Sequence, residues 1–420
     1  MPVGRRSFLE TSAVLIPATI VARRALAQNT AVASLKDNAD AVLAGIVERG
    51  DVPGVVAAVT TPAETIYLAS FGERGLGQGV AMTPDTVFNI ASMTKPVTAT
   101  AAMQLVEAGA LEPAAPISRW APRAKNLQVL EGWDASGRPI LRAPKREVTL
   151  RDLMTHTSGF AYGLWDADLA RYMTEEKFPE LASGEEAAFY PPLMFDPGER
   201  WEYGISIDWI GKLVETVSGQ SLGTYMQENI FRPLGMTSTG YRITPDMEAR
   251  RATIHQREKD GTLTPTELVR QQEPVREPGG GGLYSSADDY LRLIRMILND
   301  GTENGQQVLQ PETVQLMAQN AMGDIRVVML ETTNPSRSLD AEFFPGLPKS
   351  WGLSFMINEE TAPTGRPAGS LAWAGIQNTF FWIDPARGIG GVYLTQILPF
   401  VDDKALSVFY EFETAVYETI

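Results

Sequence analysis

The chain has 420 residues, 44% of them hydrophobic and 21% charged, enough to bury a large core and to form two lobes. Its 36 Lys and Arg against 51 Asp and Glu give a formal charge of −15, which argues against nucleic acid or an anionic membrane as a partner. With no cysteine and two histidines, His156 and His255, thiolate metal sites, cysteine nucleophiles and disulfides are excluded, and no cofactor or metal is expected.

The first residues read as an address. Gly4-Arg5-Arg6-Ser7-Phe8-Leu9-Glu10 resembles a twin-arginine export motif, a short apolar stretch follows, and Ala25-Leu26-Ala27 offers a cleavage site before Gln28. The expectation is a signal over 1–27 and an exported, periplasmic or secreted chain over 28–420. The apolar part is too short to span a membrane, so no stable anchor is expected.

Ala31 to Arg49 has the apolar stripe of an amphipathic helix. Val55–Thr60 and Thr65–Phe71 read as strands around a turn. Gly75, Gly77 and Gly79 fall in a loop with none of the Lys-Ser and helix context a phosphate site needs. Phe88-Asn89-Ile90-Ala91-Ser92-Met93-Thr94-Lys95-Pro96 then leads into helical composition ending at Gly109. Pro96 is tolerated only near a helix start, which places Ser92 at the N-terminus and Lys95 one turn on, on the same face. A serine needs a base to attack a carbonyl at neutral pH, and a desolvated lysine can be that base.

Leu111 to Val148 is proline-rich and reads as irregular. A short helix runs into the turn His156-Thr157-Ser158-Gly159, and helices are expected over Asp208–Ser218 and Leu222–Ile230. Tyr203 follows the turn Asp196-Pro197-Gly198-Glu199; a phenol beside a lysine ammonium has its pKa lowered and can relay a proton. Gly219-Gln220-Ser221-Leu222-Gly223 fits the Gly-x-Ser-x-Gly elbow, but that elbow must follow a buried strand, and Ser221 reads instead as a helix cap. Arg251 to Glu277 is polar and irregular. Gly279–Gly282 form a loop feeding a helix capped by Ser285 or Ser286.

The end returns to strands: Trp351–Asn358 as one, Ser370–Gly375, Asn378–Ile383 and Ile389–Gln396, then a closing helix over Asp403–Glu418. Strands from both chain ends around a helical middle imply one sheet with an inserted helical lobe and a ligand cleft between lobes. The lobes are drawn at about 28–95 with 280–420, and about 96–279.

Taken in order, Ser92-x-x-Lys95, His156-Thr157-Ser158-Gly159, Tyr203 after its Pro-Gly-Glu turn, the tetraglycine-Leu-x-Ser stretch and Trp373-Ala374-Gly375 resemble the serine β-lactamase and penicillin-binding-protein fold. Within it they are most similar to the esterase branch, the family VIII carboxylesterases, which resemble class C β-lactamases. The resemblance covers about Asp51 to Gln396 and implies a mixed α/β (α+β) fold, with an antiparallel sheet flanked by helices. It implies Ser92 as acylated nucleophile, Lys95 as general base, Tyr203 as proton relay to the leaving group, and the backbone N–H groups of Ser92 and Ile376 as oxyanion donors. It places Trp373-Ala374-Gly375 in the substrate site, where β-lactamases carry Lys-Thr-Gly, and gives His156 a structural role.

Two departures bear on substrate. Tyr203-Gly204-Ile205 lacks the asparagine of Tyr-x-Asn, and Trp373 replaces a cation with an indole, which makes that subsite apolar. Arg366 stands near enough in sequence to replace that cation. Phe189, Tyr190, Trp165, Phe343, Phe344 and Trp373 are aromatic candidates for a pocket wall, Trp373 foremost. The expected activity is hydrolysis of small-molecule esters. A β-lactamase, D-amino-acid peptidase, amidase or acyltransferase is the alternative, and a non-catalytic binding module ranks below these.

Overall fold

The computed structural model describes residues 18–420, with side chains from residue 32 onward. The twin-arginine motif lies outside the described residues. The first helix runs Ala18–Glu48, starting ahead of the expected Ala31. Its buried stripe is the expected one, Leu35, Ala39, Leu43 and Ile46.

Seven antiparallel strands make the central sheet. Its order is Lys349–Trp351, Met356–Asn358, Leu371–Gly375, Thr379–Asp384, Ile389–Leu394, Gly54–Thr60, Thr65–Gly72. The N-terminal strand Gly54–Thr60 thus sits beside the last long C-terminal one, Val56 opposite Leu394. All of these strands except Thr65–Gly72 are buried along their whole length, because helices cover both faces. Helices Ala18–Glu48 and Asp403–Thr419 pack together near one face, and Ala287–Leu298 lies against Gly54–Thr60 and Ile389–Leu394.

The sheet differs from expectation at its far edge. Trp351–Asn358 is not one strand: the chain reverses through Gly352-Leu353-Ser354-Phe355, where Gly352 N–H donates to the Phe355 carbonyl at 2.8 Å and Ser354 takes φ +80°. A mostly apolar stretch masks such a reversal, since both arms are buried. Two further stretches read as irregular carry strands. Val129–Trp133 pairs with Pro139–Arg142, and His255–Arg257 pairs with Leu263–Pro265. All four are short and partly exposed, so hydrophobic periodicity gives them little signal.

A two-stranded ladder unites the site. Val87–Asn89 pairs with Tyr284–Ser286, bringing the chain just before Ser92 against the chain just after the tetraglycine loop. Ser286, one of the two expected caps, accepts from Asp289 N–H and starts helix Ala287–Leu298. Among the described residues no helix is long and apolar enough to cross a membrane.

Candidate active site

Ser92 sits in a single 3₁₀ turn, Ala91–Met93, which runs directly into helix Thr94–Glu107. Ala91 holds φ +43°, a left-handed setting a non-glycine residue adopts only when its surroundings enforce it. The enforcement is visible. Ala91 N–H donates to Asn89 Oδ1 at 3.0 Å, Ile90 N–H to the Leu283 carbonyl at 3.0 Å, and Gln396 brackets Asn89 with bonds of 3.1 and 3.0 Å. Ser92 itself stays half-buried, reachable from solvent.

Lys95 is fully buried one turn on. Its Nζ donates to Ser92 Oγ at 3.1 Å, to the Gly280 carbonyl at 2.6 Å and, more weakly, to Tyr162 Oη at 3.4 Å. Desolvation pulls its pKa down to about 7; buried Asp208 opposes this, and Arg270 adds to it. A lysine in that state is part amine at neutral pH and can accept a proton from the hydroxyl beside it.

Tyr203 closes the group from the other side. Lys95 Nζ lies 4.6 Å from its ring centre, Ser92 hydrogen-bonds its phenol, and Trp373 Nε1–H donates to its oxygen at 3.0 Å. The expected depression of the phenol is not found. Burial pushes its pKa up, outweighing the bonds from Ser92 and Trp373, and the Asp208 charge adds to the rise. The phenol therefore keeps its proton and can donate it.

Sequence reasoning missed Tyr162 and Asp208. Asp208 is buried in the first turn of helix Ser206–Ser218. Its carboxylate accepts from Gly280 N–H at 2.9 Å and Tyr162 O–H at 3.1 Å. It thereby fixes the peptide whose carbonyl receives Lys95. Gly280 has to be glycine there: a Cβ would stand 2.4 Å from Asp208 Oδ2 and 2.8 Å from the Tyr162 oxygen. Three segments far apart in the chain meet at this carboxylate, so no local pattern announces it. A polar residue on the buried side of an otherwise apolar helix was the available clue.

Trp373, Ala374 and Gly375 all lie buried in strand Leu371–Gly375, which packs against the Ser92 turn. A Cβ at Gly375 would be 2.4 Å from the Ile90 carbonyl oxygen, so the strand approaches as closely as glycine allows. Ile376 follows at once and is partly buried.

Of the aromatic candidates, Trp165 and Phe343 join Trp373 here, their rings 5.6 Å from Tyr203 and 5.8 Å from Trp373 respectively. Phe189 and Tyr190 instead pack on Trp209, and Phe344 stacks on Tyr410. Arg366 does not supply the missing cation. It is buried against Glu413 of the C-terminal helix, the two charges 3.1 Å apart. His156 packs 4.7 Å from the Tyr203 ring and accepts the Gly204 N–H at 3.4 Å. Burial holds its pKa well below the usual value, so it is neutral and structural. Ser221 accepts from Thr224 N–H as a helix cap, which removes the elbow reading. A separate cavity of about 740 Å³, lined by Val52, Pro53, Gly72, Leu76, Ala81 and Leu263, touches none of the Ser92 group.

A buried lysine bonded to a reachable serine, with a protonated phenol alongside and a strand end closing the turn, is the arrangement of an acyl-transferring serine enzyme. The chain belongs to the Beta-lactamase family, whose model matches residues 39–414. It is 33% identical to a monacolin J acid methylbutanoyltransferase of Aspergillus terreus, over 88% of this chain and 93% of that protein. It is 30% identical to the esterase EstB of Burkholderia gladioli, over 86% and 91%. Unliganded simvastatin synthase from Aspergillus terreus superposes with a TM-score of 0.79 at 30% identity, over 90% of this chain and 97% of that one. The protein is thus an enzyme of the β-lactamase-like serine hydrolase superfamily, in a group that holds both esterases and acyltransferases.

Proposed function

We propose that the protein hydrolyses small carboxylic esters through an acyl-enzyme on Ser92. The observation that carries this reading is the 3.1 Å bond between Ser92 Oγ and a lysine whose pKa lies at about 7. Lys95, as the amine, takes the hydroxyl proton while Ser92 Oγ attacks the ester carbonyl. The oxyanion that forms is held by the backbone N–H groups of Ser92 and Ile376, each worth roughly 10²–10³ in rate. Collapse expels the alkoxide, which takes the phenolic proton of Tyr203, and the proton on Lys95 replaces it. Water then enters from the same side, gives its proton to the restored base and releases the acid.

Trp373 supports an ester over a β-lactam substrate. The position that would hold a cation for a lactam carboxylate is a buried indole committed to the Tyr203 oxygen. Acyl transfer to an alcohol is the second reading, favoured by the methylbutanoyltransferase relative. Export remains part of the proposal on the strength of the twin-arginine-like motif alone.

The test is hydrolysis of a short-chain aryl ester by the purified protein, with intact mass recorded after mixing. An acyl adduct on the wild type that is lost in Ser92→Ala is the expected result. Undiminished turnover by Ser92→Ala overturns the assignment. Added alcohol that diverts product from acid to new ester shifts the reading to transfer.

A further inference from the structure

Among the described residues, two arginines at the site form no ion pair. Arg270 lies on the loop that leads into the tetraglycine stretch. Its backbone N–H donates to Tyr284 Oη at 3.0 Å, which ties that loop to the strand paired with Val87–Asn89. Its guanidinium reaches back over the loop. The position a Cβ would take on Gly281 is 3.8 Å from Arg270 Nη2 and 3.6 Å from the Ala91 carbonyl carbon. The cation and the Ala91 peptide that precedes Ser92 thus both border Gly281, and the Arg270 charge acts on Lys95, Tyr162 and Asp208.

Arg337 comes from a second loop. Thr333 of that loop donates to the carbonyls of Gly163 and Leu164, and Ser338 accepts from Trp165 Nε1–H at 3.1 Å. Trp165 is part of the aromatic wall around Tyr203. Arg337 and Arg270 are close enough to repel one another.

Both arginines are exposed, and among the described residues neither has a carboxylate within ion-pair distance. Acid is not scarce: the chain carries 51 acidic residues against 36 basic ones. Nearby charges are committed elsewhere. Arg276 pairs with Glu186 at 2.8 Å, Arg251 pairs with Glu248 at 2.9 Å, and Glu277 accepts the Gly223 N–H at 2.6 Å. Asp208 is the acid whose field reaches Arg270, but it is buried and bonded to Gly280 and Tyr162 and makes no ion pair with it, so two like charges stand together without a direct counter-charge, which an anionic ligand would supply.

We propose that Arg270, assisted by Arg337, determines specificity by binding a carboxylate carried on the substrate away from the reacting carbonyl. The preferred substrate is then an ester whose reacting end fits the apolar wall of Trp373, Trp165 and Phe343 and whose remote end is an acid. This inference rests on the acyl-enzyme reading. It locates the substrate's anion on loops distinct from the strand that carries Trp373.

The experiment compares matched ester pairs on the intact protein. A mono-aryl glutarate is set against the aryl butyrate, which places the carboxylate on the acyl half. A 3-acetoxybenzoate is set against phenyl acetate, which places it on the alcohol half. The quantity read is the ratio of kcat/KM for the anionic member to that for the neutral one. Fewer folded molecules, or a change in Lys95 basicity, affect both members and cancel. Arg270→Gln should lower this ratio about tenfold for one pair, Arg270→Lys should keep most of it, and Arg337→Gln should lower it less. Raising salt to about 0.5 M should shrink the wild-type ratio. Ratios that Arg270→Gln leaves unchanged in both pairs overturn the inference while the esterase reading stands. Failure of the wild type to turn over any of the four esters removes both.

Discussion

The indole N–H of Trp373 donates to the phenol oxygen of Tyr203 at 3.0 Å, and both side chains are buried. The bond fixes the phenol that the proposed mechanism uses as its proton donor. Trp373→Phe keeps an apolar ring but removes the donor, and should lower kcat for a short-chain ester about fivefold to tenfold, with a smaller change in KM. Steady-state kinetics on the folded variant checks this.

In the proposed mechanism the basicity of Lys95 sets the pH response. With its pKa at about 7, ester turnover should rise through neutral pH as the amine form accumulates, giving an acid limb with an apparent pKa near that value. The stability sign follows from the same shift. The unfolded lysine keeps its proton up to its ordinary value of 10.5 while the folded one has lost it above about 7. Stability from this group therefore increases with pH between the two. Lys95→Met should abolish turnover and flatten the pH dependence of Tm over that interval.

Asp208 raises the proton affinity of Lys95 and holds Gly280 and Tyr162 in place. Asp208→Asn retains an acceptor and loses the charge. The acid limb of the pH–rate profile should then move to lower pH by about one unit, since an opposite charge nearby favours the protonated lysine. An acid limb that stays in place would mean that the field of this carboxylate does not reach Lys95.

Arg366 and Glu413 separate stability from function. The pair is buried 3.1 Å apart beneath the C-terminal helix. Arg366→Met strands Glu413, whose pKa burial already raises, and should cost about 3 kcal/mol in denaturant unfolding. KM for an ester should not change in the remaining folded protein.

Gly375 reports on the closeness of strand and turn. Gly375→Ala drives a methyl into the Ile90 carbonyl, which is backbone and cannot swing aside. A lower Tm and a loss of ester turnover larger than that loss of stability explains are expected, as the proposed oxyanion donor Ile376 follows directly in the displaced strand.

The parts of this fold legible in the sequence are those with local causes. Ser92 and Lys95 share a helix face by spacing, Pro96 marks the helix start, and the Val55 and Thr65 strands show their own apolar content. The parts that stayed hidden are made between distant segments. The ladder of Val87–Asn89 with Tyr284–Ser286, the Asp208–Gly280 bond and the reversal at Ser354 leave no periodic trace. The raised proton affinity of the Tyr203 phenol is hidden for a related reason: it comes first from burial, and burial is a property of the assembled fold.

Because Gly54–Thr60 lies between Thr65–Gly72 and Ile389–Leu394, synthesis delivers the second strand of that trio at once and the third only near the very end. During translation the early hairpin offers a bare, apolar margin with nothing native to dock on. Nascent chains halted before residue 389 should cling to holdase chaperones and fall to proteases, while chains extended through Leu394 should not.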